Sequence, residues 1–302
     1  MRDDIASAIA KIDRALSPET IAASQDLYQA KHETEPYRDV TVTRDERYGP
    51  HERNRLDVFA PTGATSGRRP VLIYVHGGGF VAGDKRVGTT AYYDNVGVWA
   101  VRNGYVGITM TYRLAPGDQY PAAAADVGGA VKWAIDNVAR FGGDPDNIVL
   151  LGQSAGSTHV ATYAARPELH AGSGGGVRAI AMLSGVYDFT LVELAGNLKM
   201  YLGDAPDARE RGSALPALAT AGIPLMFGVS ELDPPMFHEQ AMALANAIYA
   251  QTKRAPNLLY LPRHNHISQI AHLNAADTGD RLLSDRLAEF INVHTARQLT
   301  AT

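Results

Sequence analysis

The stretch NIVLLGQSAGSTHVATYAA, residues 147–165, decides the fold class. Its first part, Ile148–Leu151, is a short apolar run of the kind that forms a buried strand. Its last part, Ala155–Ala165, continues as a helical segment. Glycines at 152 and 156 allow a strand and a helix to approach each other without side-chain clashes. The stretch therefore predicts a strand that turns directly into a helix, with Ser154 at the turn.

The same alternation continues along the chain from about residue 39. Short leucine-rich and β-branched runs alternate with longer helical segments, which is typical of a largely parallel sheet covered on both faces. Strands are predicted at Val40–Arg47, Arg55–Phe59, Val71–His76, Val106–Tyr112, Ile148–Leu151, Val177–Ser184, Leu225–Val229 and Leu258–Leu261. Helices are predicted at Ala122–Phe141, Ala155–Ala165, Met236–Gln251 and Asp280–Arg297. The predicted fold class is α/β, with a mostly parallel eight-stranded sheet flanked by helices.

Two segments do not fit this alternation. Residues 1–38 contain isoleucines at helical spacing, and Ser17 followed by Pro18 predicts the start of a second helix. Residues of about 188–221 lie between the sixth and seventh predicted strands. We expect an N-terminal helical arm over 1–38 and a catalytic domain over 39–302, with a cap-like insertion at about 188–221.

Composition excludes several classes of protein. The chain of 302 residues is 45% hydrophobic and 20% charged, so one large globular domain can form without metal or disulfide support. A net charge of −4 gives no broad attraction to nucleic acid, and the absence of cysteine excludes a thiolate nucleophile. Charges interrupt the apolar residues of MRDDIASAIAKIDRAL, residues 1–16, so we expect neither a signal peptide nor a membrane span, and a cytoplasmic location.

Ser154 is the candidate nucleophile. A serine hydroxyl reacts only when it is exposed beside a base and near hydrogen-bond donors, and a tight strand-to-helix turn of the form G-x-S-x-G provides that exposure. A second glycine-rich segment, His76-Gly77-Gly78-Gly79, follows the predicted strand Val71–His76. Together with the serine turn, it predicts an oxyanion hole formed by the backbone N–H groups of Gly78, Gly79 and Ala155.

A base and an orienting acid are expected at the carboxyl ends of later strands, because these ends meet at one edge of a parallel sheet. Glu231 and Asp233 follow the seventh predicted strand, and His264 and His266 follow the eighth. The residues alone leave both choices open. Asp233 could also act only as a helix N-cap.

The histidines also suggest a metal site. Residues 264 and 266 would share one face of a strand, and His272 follows. No carboxylate with a recognisable ligand spacing accompanies them, so no metal and no cofactor is predicted.

Five motifs in order resemble the α/β-hydrolase superfamily, and specifically bacterial esterases related to hormone-sensitive lipase. They are HGGG (76–79), TYRLAPGDQYPAAAADV (111–127), FGGDPDNIVLLGQSAG (141–156), ELDPP (231–235) and HIS (266–268). The resemblance implies Ser154 as nucleophile, Asp233 as orienting acid and His266 as base. Most members have aspartate where Gln153 stands, and HGGGFVAGDK with this glutamine is also similar to feruloyl-esterase-like and kynurenine-formamidase-like relatives.

The predicted function is hydrolysis of short- to medium-chain carboxylic esters, with a small-molecule ester as the partner and a homodimer left open. Phe80, next to the glycine loop, and Tyr187, next to the insertion, are the candidate substrate-binding residues. An aryl-formamidase or amidase with the same triad is the alternative enzyme. A non-catalytic hydrolase-fold protein that binds a small ligand is the alternative from another class.

Overall fold

The computed structural model describes residues 1–63 and 68–295. Its centre is a single eight-stranded sheet. The strands are β1 (Val40–Arg47), β2 (Arg55–Pro61), β3 (Arg69–Val75), β4 (Val106–Met110), β5 (Gly143–Gln153), β6 (Ala179–Leu183), β7 (Leu225–Leu232) and β8 (Asn257–Asn265). Their spatial order is β1-β2-β4-β3-β5-β6-β7-β8. The β1–β2 and β2–β4 pairs are antiparallel and the others are parallel, so the predicted α/β fold is confirmed.

Helices connect and cover the strands. They are α1 (Asp3–Ile9), α2 (Pro18–Gln29), α3 (Asp94–Arg102), α4 (Ala122–Asn137), α5 (Ala155–Ala165), α6 (Gly196–Leu202), α7 (Ala208–Gly212), α8 (Leu215–Leu218), α9 (Pro235–Thr252), α10 (Ser268–Ala271) and α11 (Leu282–Thr295). A 3₁₀ turn over Val138–Phe141 follows α4, so the helix predicted as far as Phe141 ends at Asn137. Arg297, the predicted end of the last helix, lies outside the described residues.

Both faces of the sheet are buried, as the continuous apolar strands predict. On β3, Ile73 and Val75 pack on one face, with residues of α4 and α5. Leu72 and Tyr74 pack on the other face, with residues of α3 and α11. Because successive side chains of a strand point to opposite faces, an unbroken apolar run supplies both layers of the core.

The N-terminal segment begins with the capping signal read from the sequence. Ser17 Oγ accepts a hydrogen bond from Thr20 N at 3.3 Å, and Thr20 Oγ1 accepts one from Ser17 N at 3.1 Å. Pro18 occupies the first turn of α2, where its missing N–H costs nothing. The segment packs on the body of the protein through a buried cluster that includes Ile5, Ile9 and Tyr28.

Candidate active site

Ser154 stands at the turn between β5 and α5. Its backbone has φ 56° and ψ −124°, a conformation that residues other than glycine rarely adopt. Its N–H donates to Leu183 O at 2.9 Å, which anchors the turn to β6. A Cβ at Gly156 would lie 2.0 Å from Val75 O, so only glycine permits this approach of α5 to β3. The sequence forms a strained strand-to-helix turn because glycine stands where the elements touch.

The glycine loop after β3 lies against this turn. A Cβ built on Gly77 would lie 3.0 Å from Ser154 Cβ, which measures how close the two segments are. Gly78 and Gly79 have φ of 135° and 57°, both in the region that favours glycine. Tyr112 stacks on His76 and donates to His76 O at 2.7 Å, which holds the start of the loop. Burial lowers the pKa of His76 to about 4, so its ring is neutral near pH 7.

Three backbone N–H groups of the glycine loop and the serine turn are available as hydrogen-bond donors. Within residues 1–63 and 68–295, the N–H groups of Gly78, Gly79 and Ala155 have no hydrogen-bond partner. Ala155 is the first residue of α5, where the N–H groups have no acceptor within the helix. Unpaired donors beside a serine are what an oxyanion hole needs.

Asp233 and His266 form a buried pair. Asp233 Oδ1 lies 2.7 Å from His266 Nδ1, and both side chains are almost completely shielded from solvent. The other carboxylate oxygen, Oδ2, accepts from Ser230 N at 2.6 Å and from Ser184 Oγ at 2.7 Å. These three contacts fix the carboxylate, and none of them is a cap of α9, which has no side-chain cap. Asp233 therefore contacts His266 and does not cap the helix.

His266 Nε2 faces no acceptor. It is buried and has no hydrogen-bond partner in the described part of the chain, so the serine–histidine hydrogen bond is not formed there. Such bonds are often long before substrate binds. The ring of Phe237 stacks on His266 at 4.3 Å between centroids. Phe237 and Ser154 both line one small cavity, which brings the histidine ring and the serine to the same place in the fold.

The alternatives left open by the sequence lie elsewhere. Glu231 is exposed and accepts from Arg263 N at 2.7 Å. His264 pairs with Asp280 at 2.9 Å and not with Asp233. The expectation that residues 264 and 266 share a face of a strand is wrong, because the β7–β8 ladder shifts register after Leu261 and Arg263 has φ 65°. That irregularity turns the two histidines toward different carboxylates.

Gln153 has a role that the sequence reading did not assign. Its side-chain Nε2 donates to His266 O at 2.9 Å, and Gln269 Nε2 donates to the same oxygen at 2.9 Å. The residue before the candidate nucleophile thus holds the backbone of the candidate base. Gln269 Nε2 also donates to Ser184 Oγ at 3.0 Å, and Ser184 in turn holds Asp233. The only hint in the sequence was the unusual glutamine at position 153. The sequence does not show its contact, because His266 is 113 residues away.

The cavity at Ser154 has a volume of about 160 Å³ and an apolar lining. It is lined by Leu16, Gly79, Phe80, Ser154, Ala155, Thr158, Val186, Asn197, Leu198, Met236 and Phe237. Phe80 lines this cavity, and its contact with substrate stays a prediction. A roomier cavity of about 580 Å³ around Val177 and Ile223 contains neither Ser154 nor His266, so volume alone does not select the site.

The expectation that Tyr187 contacts substrate is not supported. Its side chain is buried in the main core, and it is not among the described residues that line the cavity. Gly185 N donates to its hydroxyl at 3.3 Å, and its own N–H donates to Gln240 Oε1 at 2.8 Å. The side chain packs with Ala214 and Leu218 of the insertion instead of facing the cavity.

Comparisons with known proteins agree with this geometry. The BD-FAE family model matches residues 56–197, somewhat less than half of the chain. Esterase LipQ of Mycobacterium tuberculosis is 29% identical over 300 residues, which cover 93% of this chain and 69% of that protein. A probable isoprenylcysteine alpha-carbonyl methylesterase of Arabidopsis thaliana, ICMEL2, is 32% identical over 53% of this chain and 38% of its own length. Esterase B from Lactobacillus rhamnosus, solved as a crystal structure, has the same fold, with a TM-score of 0.71, 19% identity and 97% coverage of both chains.

The chain has the α/β-hydrolase fold. This α/β-hydrolase is similar to esterases, as the sequence motifs imply, and the comparisons support a carboxylic ester hydrolase. Among the described helices of this α/β-hydrolase, none combines the length and the apolar character needed to cross a membrane.

Proposed function

We propose that this α/β-hydrolase cleaves short-chain carboxylic esters through a triad of Ser154, His266 and Asp233. The buried Asp233–His266 pair carries the proposal, since the carboxylate lies 2.7 Å from Nδ1 and leaves Nε2 without a partner in the described residues. An imidazole held in this way keeps one nitrogen available as a base. The strained backbone of Ser154 and its place in the adjoining cavity support its role as nucleophile.

The reaction has two acyl-transfer steps. His266 Nε2 takes the proton of Ser154 Oγ as the oxygen attacks the ester carbonyl, and the oxyanion is bound by the N–H groups of Gly78, Gly79 and Ala155. The C–O bond to the alcohol breaks, and the imidazolium gives its proton to the leaving alkoxide. Water then attacks the acyl-enzyme with His266 again as base, which releases the acid and restores the serine. Asp233 stabilises the imidazolium throughout and takes no proton.

The cavity supports acyl groups at the short end of the predicted range. Its volume of about 160 Å³ is smaller than the roughly 300–1,000 Å³ typical of pockets for drug-sized ligands. The apolar side chains of Val186, Leu198 and Met236 favour an alkyl chain over a charged group. We therefore propose that acetyl and butyryl esters react faster than a decanoyl ester.

We further propose that two segments form a cap over this site. Leu16 of the N-terminal arm lines the cavity, and so do Asn197 and Leu198 of the insertion. Both segments were expected to be additions to the catalytic domain, and their contribution to the cavity wall supports a role in substrate selection. A cytoplasmic location and a homodimer remain predictions.

The test is an assay on p-nitrophenyl acetate, butyrate and decanoate. Ser154→Ala should lower kcat on the order of 10⁶-fold if the triad acts as a unit. A fluorophosphonate probe should label the wild-type protein and not this variant. Near-full turnover by Ser154→Ala would end the assignment of the nucleophile.

The same preparation separates the alternatives. Faster hydrolysis of N-formylkynurenine than of p-nitrophenyl acetate would favour the formamidase. A folded protein that neither turns over any of these substrates nor reacts with the fluorophosphonate would favour the non-catalytic binding protein.

A further inference from the structure

A second cluster of histidines and a carboxylate lies beside the catalytic loop and takes no part in the triad. It consists of His264, at the end of β8, His272, after α10, and Asp280, before α11. One ligand atom from each residue lies within 4.8 Å of those of the other two. Both histidine side chains are buried, and their rings lie 4.3 Å apart between centroids. Two imidazoles and a carboxylate at these distances can act as a set of metal ligands. Their positions along the sequence do not follow a recognisable ligand spacing.

The outer nitrogens of both rings are already held by Ser268. His264 Nδ1 lies 3.0 Å from Ser268 Oγ, and His272 Nδ1 lies 2.9 Å from Ser268 O. A metal-binding histidine almost always has its second nitrogen in such a hydrogen bond, which fixes the ring and leaves the other nitrogen for the metal. One serine therefore sets the orientation of both rings.

The inner nitrogens are arranged for a ligand. His272 Nε2 is buried and has no hydrogen-bond partner within the described residues, which is an unfavourable state for an acceptor. His264 Nε2 lies 2.9 Å from Asp280 Oδ2. A histidine that served only to pair with Asp280 would not require the second, unpartnered imidazole beside it. The unpartnered nitrogen is the observation that points to a ligand.

We propose that His264 Nε2, His272 Nε2 and Asp280 bind a Zn²⁺ ion. Two nitrogens and one carboxylate oxygen are donors that zinc commonly takes, with water in the fourth position. Ligand atoms around a tetrahedral zinc lie about 3.4 Å apart, given bonds of about 2.1 Å. No two of the present ligand atoms are more than 4.8 Å apart, and His264 Nε2 already lies 2.9 Å from Asp280 Oδ2, so side-chain rotations complete the site.

Solvent reaches the cluster from one side. A cavity of about 350 Å³ is lined by His272 and Asp280, so an ion can enter and a water can occupy the fourth position. Two arginines also line this cavity, but Arg102 is paired with Glu33 and Arg281 with Asp285. The Met1 amino group, 4.0 Å from Asp280 Oδ2, is the cation that zinc would compete with.

The position of the site gives it a consequence for the enzyme. His264 is two residues before His266, and Ser268 is two residues after it. A bound ion would therefore link the segments before and after His266 to each other, and it would link both to the residue just before α11. We expect zinc to stabilise this loop without entering the reaction.

The protein is first treated with a chelator, which is then removed. It is titrated with Zn²⁺ in a calorimeter and with Co²⁺ in a spectrophotometer. We expect one Zn²⁺ per chain, visible absorption typical of tetrahedral Co²⁺, and a Tm that rises with zinc concentration. His272→Ala should abolish these signals. Ser268→Ala should weaken zinc binding roughly 10–100-fold, because it removes the hydroxyl that orients His264.

Two further variants make the result decisive. Asp280→Asn keeps the shape of the side chain and should also lose the cobalt absorption, which covers the case in which His272→Ala does not fold. His51→Ala is the matched control, since His51 also lies near a carboxylate, at 3.8 Å from Asp118, but belongs to no metal-ligand cluster among the described residues. No binding by the wild type, or equal binding by the wild type and Asp280→Asn, would overturn the proposal. Either result leaves the esterase assay on Ser154 unaffected.

Discussion

Replacing Gln153 by methionine tests whether the residue before the nucleophile positions the base. Gln153 and Gln269 each donate one hydrogen bond of 2.9 Å to His266 O. Methionine has nearly the same length but cannot donate. The carbonyl keeps its second donor, so we expect the free energy of unfolding to fall by only about 1 kcal/mol, the usual value of one neutral hydrogen bond.

Catalysis should suffer more than stability. The backbone of His266 loses one of its two restraints, and misplacement of a catalytic group by about 1 Å can cost up to about 10²-fold in rate. We expect kcat for p-nitrophenyl butyrate to fall about tenfold, with KM changed less than about twofold, since the acyl cavity is untouched.

The double variant Gln153→Met/Gln269→Met gives a sharper result. It leaves a buried carbonyl without a partner, which adds about 1–3 kcal/mol beyond the sum of the two single losses. Urea denaturation of the four proteins measures this coupling. The matched control is Asn137→Leu, which removes an amide donor to Trp133 O, also at 2.9 Å, in α4. Additive losses, or a fall in kcat no larger than that of Asn137→Leu, would refute the argument.

Three other predictions concern the acid, the cavity and acid stability. Asp233→Asn should lower kcat on the order of 10⁴-fold near neutral pH, as the loss of the orienting carboxylate does in serine proteases, and a loss below about tenfold would contradict its role. Met236→Ala enlarges the apolar cavity, so the ratio of kcat/KM for decanoate over acetate should rise; an unchanged ratio would mean that Met236 does not limit the acyl chain. Burial lowers the pKa of His76 from 6.5 to about 4, so the unfolded chain binds a proton at this ring more tightly than the folded chain does. The contribution of His76 to the free energy of unfolding is therefore fully present above pH 6.5. It is lost as the pH falls toward 4, and the loss is on the order of 3 kcal/mol. Urea midpoints between neutral pH and about pH 5 should therefore drop less steeply for His76→Asn than for the wild type, and equal slopes would exclude the effect.

Not every element could be read from the sequence. Helix α3, Asp94–Arg102, is not predicted because it is only nine residues long and contains Gly97 and three valines, which are poor helix formers. Gly97 stands where the ring of Phe59 packs against the helix, a contact that only the tertiary structure reveals. The final helix was expected to begin at Asp280, but α11 begins at Leu282. Asp280 lies outside the helix, and its Oδ1 accepts a hydrogen bond from Leu282 N at 3.1 Å. A capping residue and a helical residue look the same in an apolar pattern.

The sequence by itself determined the sheet, the turn at Ser154 and the glycine loop beside it. These features depend on contacts between neighbouring residues: buried strands need unbroken apolar runs, and tight turns need glycine. The chain order also put Asp233 and His266 at the ends of successive strands.

Only the tertiary structure decided which carboxylate pairs with His264 and which pairs with His266. A bulge near Arg263 sends His266 to Asp233 and His264 to Asp280, and no local pattern records that change of direction. The same holds for Gln153 on the carbonyl of His266 and for Tyr187 in the core. These contacts join residues far apart in the chain, and their geometry is fixed by how the loops pack at the end of the sheet rather than by the residues next to them.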